Sequence, residues 1–131
     1  AKGAADAGLF PSVAVIGDST FTHSGMTGLL DAVNEKTPIT VLICDNESVS
    51  MTGGQDSAAL GKIESICLGL GVDPDHLHTI EAHPKNHDKL VELLEREVNY
   101  EGVSVIVPRR ECIQKAARRI RAEKMKSEQN A

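Results

Sequence analysis

Aromatic residues are nearly absent from this chain of 131 residues: it has no Trp, one Tyr and two Phe. Its core must therefore be built from aliphatic side chains. No apolar run is long enough to span a bilayer, and the opening AKGAADAGLFP lacks the apolar stretch of a secretory signal. The cysteines, Cys44, Cys67 and Cys112, are odd in number, widely spaced and form no C-x-x-C pair, so neither a disulfide framework nor a zinc site is suggested. A soluble protein of a reducing cytoplasm is the expectation. Cationic surplus is missing as well. A net charge of −5 argues against a nucleic-acid surface, because phosphate binding depends on clustered Lys and Arg. Most of the basic residues lie between Arg109 and Lys126, interspersed with Glu111 and Glu123, and read as a solvated helix face.

What is present is an alternation of strand and helix signals. Ser12 to Gly17 (SVAVIG) and Ile39 to Cys44 (ITVLIC) are short β-branched runs of the kind found in buried parallel strands. Between them, SGMTGLLDAVNEK carries Met26, Leu29, Leu30 and Val33 at helical spacing, with Ser24 placed as an N-cap and Pro38 on the far side. Further helices are expected at Ala59 to Leu70, stopped by Gly71, and at Lys85 to Val98, with strands at His76 to Ile80 and Val103 to Val107 and a basic helix at the end. This order predicts an α/β fold: one domain over residues 1–131 with a mainly parallel sheet, helices on both faces, and any site at the strand C-terminal ends. The stretch AKGAADAGLF reads as the last turns of a small-residue helix, so an upstream strand and helix are expected to be missing.

Chemistry is concentrated after the first two strands, in Gly17-Asp18-Ser19-Thr20 and Cys44-Asp45-Asn46-Glu47-Ser48. If these strands are neighbours, a carboxylate, an amide and backbone carbonyls converge there. Magnesium accepts such a set, because it takes one or two carboxylates and completes its octahedron with phosphate, carbonyl and water oxygens. Asp18, Asn46 and the Ser48 carbonyl suit it, and a helix opening near Ser24-Gly25 would offer N–H groups to a diphosphate. Each residue has a plainer reading too. Gly17-Asp18 alone is a common strand-to-loop turn, Gly53-Gly54 can serve a turn needing positive φ, and Cys112 can be a packing residue. His23 could polarise a substrate carbonyl or be a hydrogen-bonded structural residue.

The pattern G-D-S-T-F-x-H-S-G, then A-V-N, then D-N-x-x-x-x-M-T-G-G-Q resembles the thiamine diphosphate motif of the 2-oxoacid:ferredoxin oxidoreductases, closest to the C-terminal region of the indolepyruvate ferredoxin oxidoreductase alpha subunit. The resemblance runs from Val13 to Gln55 and continues more weakly to VSVIVPRREC. It implies the thiamine diphosphate-binding fold, in its diphosphate-binding half, and oxidative decarboxylation of an arylpyruvate or indolepyruvate to an acyl-CoA. By resemblance, Asp18, Asn46 and the Ser48 carbonyl hold Mg2+, Gly17, Ser19 and Thr20 approach the diphosphate, and Met51, Thr52, Gly53 and Gly54 form a loop over the cofactor. Coenzyme A and ferredoxin are the implied partners of the complete enzyme.

Two family features are missing from this sequence. It has no cysteine-rich iron–sulfur motif, so any cluster belongs to another segment or subunit. It also has no match to the pyrimidine-binding domain whose glutamate activates the cofactor. A competing resemblance links V-I-G-D-S-T and Asp73-x-x-His76 to the GDSL serine esterases. That reading needs Ser19 and His76 within hydrogen-bond reach. A third possibility is a non-catalytic thiamine-fold module that holds a partner.

Overall fold

The run Val13–Gly17 forms β1 and Thr40–Cys44 forms β2, and the two pair in parallel with Gly17 opposite Cys44. A computed structural model describes residues 1–46, 48–49, 55–56, 61–110 and 113–129. Its main sheet has four parallel strands in the order β1-β2-β6-β5, where β5 is Leu77–Glu81 and β6 is Ser104–Arg109. The late strand β6 thus inserts beside β2, and all four C-terminal ends share one edge.

Side-chain parity in a parallel sheet assigns the faces, because residues in register point the same way. Ala14, Val41 and Val105 share one face, as do Ile16, Ile43 and Val107 two residues on. Against it pack α3 (Met26–Glu35), through Leu29 and Ala32, and α4 (Ile63–Gly69), through Ile63 and Cys67. This is the aliphatic core, with Phe21 as its one fully buried aromatic. The opposite face carries Thr40 and Ser104, and there α5 (His87–Val98) packs by its C-terminal end, the Glu97 carbonyl accepting from both hydroxyls. Helices therefore cover both faces. At β1 the cover on the α5 side stops short, leaving Val13 44% and Val15 69% exposed.

Element boundaries follow local chemistry. Gly71, at φ 97, ends α4 in the left-handed region that the sequence marked with a glycine. Lys36 does the same for α3 at φ 55. The N-terminal helix α1 is Lys2–Asp6, and Lys2 ties it to α3 through Glu35 at 2.6 Å and Asp31 at 3.4 Å. The final helix, α6 (Ile113–Gln129), is largely exposed, as a solvated basic face requires. Arg109 departs from that expectation. Placed by sequence in the basic tail, it is the last residue of β6 and half-buried, because the strand runs two residues beyond Val107 to pair with β5. A hairpin of β3 (Ser48–Val49) and β4 (Gln55–Asp56), not foreseen, follows β2.

Glu97 anchors the edge opposite the strand C-terminal ends. Its side chain is 1% exposed and takes hydrogen bonds at both oxygens, from His76 Nδ1 at 2.8 Å and His78 Nε2 at 2.9 Å, with Arg96 Nε at 3.1 Å. Its carbonyl accepts from the Thr40 hydroxyl at 3.1 Å, and Tyr100 stacks on His76 at 3.5 Å. Burial pushes the carboxyl pKa up, but the bonds from His76 and Arg96 outweigh it and hold it below the ordinary glutamate range. A group depressed in the folded state stabilises fully above its unfolded value and loses that contribution as pH falls through the folded value. Glu97→Gln is therefore expected to cost about 1.5–3 kcal/mol at neutral pH and to flatten the acid limb of stability. Urea midpoints between pH 7 and pH 3 check this, and a variant as acid-sensitive as the parent would contradict it.

Candidate diphosphate and metal site

At the C-terminal edge of the sheet, the chain passes from β1 into helix without a loop. Gly17 is the N-cap, Asp18–Thr20 forms α2, Phe21–Gly25 widens into a π-turn, and α3 follows. The expected helix start near Ser24-Gly25 is thus corrected: the N-terminus is at Asp18, and Ser24 sits inside the π-turn, where its hydroxyl donates to the Thr20 carbonyl at 3.4 Å. Hydroxyls make this start possible. Thr22 Oγ1 donates to the carbonyls of Asp18 at 3.2 Å and Ser19 at 3.1 Å, supporting backbone that a π-turn leaves poorly bonded. Gly25 allows a close approach, since a Cβ there would lie 2.7 Å from Ile16 Cδ1 and 3.1 Å from the Phe21 ring.

Asp18 is 4% exposed, and its Oδ1 accepts the Ser19 N–H at 2.8 Å. The register of β1 and β2 sets it beside the end of the neighbouring strand, and Gly17, Asp18, Cys44, Asp45 and Asn46 line one cavity of about 300 Å³. Ala82, Pro108 and Arg110 close the far side. A Cβ at Gly17 would meet no atom of the described residues within 4 Å, and φ there is −78°, so neither their packing nor the backbone conformation demands glycine. The missing side chain leaves room beside Asp18. Partial desolvation and the charge of Asp18 push the Cys44 thiol pKa up.

Asp45 is fixed by Arg109, whose Nε donates to Asp45 Oδ2 at 2.6 Å and whose Nη2 lies 2.7 Å from Glu64 Oε1. Glu64 also accepts the Thr79 hydroxyl at 2.9 Å. Burial works against the Arg109 charge, but the bonds to Asp45 and Glu64 outweigh it and raise its pKa. The sequence reading missed this cluster and the Ala82, Pro108 and Arg110 wall. Its signal was the charged pair Arg109-Arg110 directly after a buried strand.

Gly17, Asp18 and Asn46 are brought together as the sequence implied. Ser19 and Thr20 follow in the first helical turn, half-buried and exposed respectively, and do not line the cavity. Ser48 opens β3, paired with Asp56. Met51, Thr52, Gly53, Gly54 and Cys112 lie outside the described residues. His23 is exposed within the π-turn and away from the cavity lining. Among the described residues no cluster of three or more His, Cys, Asp or Glu side chains could hold a metal ion. One buried carboxylate beside an amide does fit magnesium, which draws its remaining oxygens from phosphate, carbonyls and water.

The family of thiamine pyrophosphate enzyme C-terminal TPP-binding domains matches residues 1–107. This chain belongs to that family. Indolepyruvate oxidoreductase subunit IorA of Archaeoglobus fulgidus is 34% identical over 111 residues, covering 76% of this chain and 17% of the relative. The subunit of the same name from Pyrococcus horikoshii is 31% identical over 110 residues, covering 76% and 16%, and that from Methanothermobacter thermautotrophicus 32% over 112 residues, covering 77% and 18%. The TPP-binding domain described here thus spans under a fifth of these relatives. In three dimensions it is similar to a thiamin diphosphate-dependent enzyme from Mycobacterium smegmatis, with a TM-score of 0.61 and 27% identity over 82% of this chain and 19% of the other.

The esterase reading fails on the positions of its residues. Ser19 follows the C-terminal end of β1, whereas Asp73 and His76 precede the N-terminal end of β5 at the opposite sheet edge. A strand length and three strand spacings separate them, roughly 20 Å. His76 is committed to Glu97, and Asp73 caps its own turn at the Asp75 N–H. Gly17→Ala should leave the melting temperature within about 2 °C of the parent, since the new methyl meets no atom of the described residues, while weakening diphosphate binding at least fivefold. Paired thermal melts and cofactor titrations check this. Unchanged affinity would mean that the ligand does not use the space beside Gly17.

Proposed function

We propose that this domain holds the magnesium-diphosphate end of thiamine diphosphate in a 2-oxoacid oxidoreductase of the indolepyruvate class. The observation that carries the reading is the buried carboxylate of Asp18 lining one cavity with Asn46 at the ends of adjacent parallel strands. In this reading Asp18 and Asn46 ligate the cation with the Ser48 carbonyl, Gly17 leaves the diphosphate its space, and Ser19 and Thr20 donate to it. Met51, Thr52 and Gly53 are further cofactor contacts by resemblance. Thiamine diphosphate, when bound, supplies a nucleophilic carbon for the keto group of a 2-oxoacid and an electron sink for the carbanion left by CO2 loss. The protein's part would be to offset the charge of the diphosphate and fix the cofactor's orientation.

Indolepyruvate or another arylpyruvate is the proposed substrate, by likeness to the IorA subunits. The product is an acyl-CoA and the electrons pass to ferredoxin in the cytoplasm, with the iron–sulfur clusters and the pyrimidine-binding domain supplied by other segments or subunits. The open face of β1 at Val13 and Val15 supports a unit that packs against further protein, including a strand and helix beside β1.

Asp18→Ala is expected to abolish magnesium-dependent binding of thiamine diphosphate to the complete enzyme. Calorimetry with and without magnesium measures this, and equal affinities in parent and variant would remove Asp18 from the metal site. Ser19→Ala should keep measurable turnover, because one hydrogen bond to a diphosphate contributes about 1.5–3 kcal/mol. Complete loss of turnover in steady-state assays at saturating cofactor would give Ser19 a larger part than this reading allows.

A further inference from the structure

The cluster of Arg109, Asp45 and Glu64 lies behind the proposed diphosphate site, and no step of the proposed reaction uses it. Asp45 immediately precedes Asn46, lines the same cavity as Asp18, and has a side chain only 2% exposed. An unmatched carboxylate there would face an incoming diphosphate with like charge. Arg109 supplies the match through its 2.6 Å bond, while its other arm reaches Glu64 on α4 at 2.7 Å. The backbone carries the same linkage. Asp45 N–H donates to the Pro108 carbonyl at 3.0 Å, Arg110 N–H to the Asp45 carbonyl at 2.9 Å, and Ala82 N–H to the Arg109 carbonyl at 2.8 Å. One guanidinium thus spans the ends of β2 and β6 and the first turn of α4.

We propose that Arg109 is a positioning residue for the magnesium-diphosphate site: it offsets the charge of Asp45 and pins the end of β2, so that Asn46 is held at the cavity with Asp18 and less negative charge faces an incoming diphosphate. The inference rests on the reading of this site as a diphosphate site. Its chemistry is electrostatic and geometric together. A cation that served only to staple the sheet would affect stability without regard to what the cavity binds. Arg109 sets the charge that an anionic ligand meets.

The test uses the complete enzyme and magnesium with thiamine diphosphate as the probe, measuring the dissociation constant by calorimetry, the melting temperature, and the 2-oxoacid KM at saturating cofactor. Arg109→Met is expected to raise the dissociation constant about tenfold or more, with the 2-oxoacid KM within twofold of the parent. Adding Asp45→Asn to Arg109→Met removes the carboxylate charge that Arg109 offset and should recover most of that affinity. Arg109→Lys keeps the charge but loses the fork that joins Asp45 to Glu64, and is expected to raise the constant about two- to fivefold. It decides the matter if the Met variant does not fold. Unchanged affinity in the Met or Lys variant overturns the proposal, as does a loss that follows the melting temperature and is not recovered by Asp45→Asn. Failure of the parent to bind the cofactor in a magnesium-dependent way overturns the diphosphate site itself, and the role of Arg109 with it.

Discussion

Parallel pairing of β1 with β2 is the constraint from which the site derives. Parallel strands end at the same edge, so a carboxylate after one and an amide after its neighbour must meet, whatever else the chain does. The register Gly17 to Cys44 makes the meeting close, and the insertion of β6 beside β2 provides the opposite wall. The aliphatic core serves this arrangement. Ile43, Val105 and Val107, all fully buried, hold the central strands in one register, and a slip by a single residue would turn each of them to the other face.

Most of the strands and helices were legible because β-branched runs and helical spacing are local signals. Val13–Gly17, Thr40–Cys44 and His87–Val98 fall within about a residue or two of where patterning places them. The π-turn was not legible, since it results from a buried Phe21 and a close Gly25 against Ile16, contacts that no local pattern encodes. Gly17, Asp18 and Asn46 could be named because strand ends advertise themselves. The wall of Ala82, Pro108 and Arg110 could not, because it depends on strand order, and sequence order gives no hint that the last strand lies next to the second. Arg109 was misassigned for a related reason: a charged residue at the end of an apolar run looks solvated until its buried partner is known.

The two edges of the sheet divide the work. At one, Asp18, Asn46 and the Arg109 cluster gather around the cavity; at the other, Glu97 binds His76, His78 and Arg96 and joins α5 to β2 and β5. Groups about a strand length apart and sharing no partner act on stability nearly independently. Substitutions in the cavity at one edge can therefore be combined with stabilising changes at the other.

The bare side of β1 has a practical consequence. Among the described residues β1 pairs only with β2, so its outer rim presents peptide N–H and C=O groups beside Val13 and Val15. Such a rim is a template for any extended chain, including one from another molecule, and no charged side chain within Val13–Gly17 blunts it. Handled alone at high concentration, the domain has a built-in route to stacking edge to edge. A buffer or fusion partner that shields this rim will govern how much of it stays in solution.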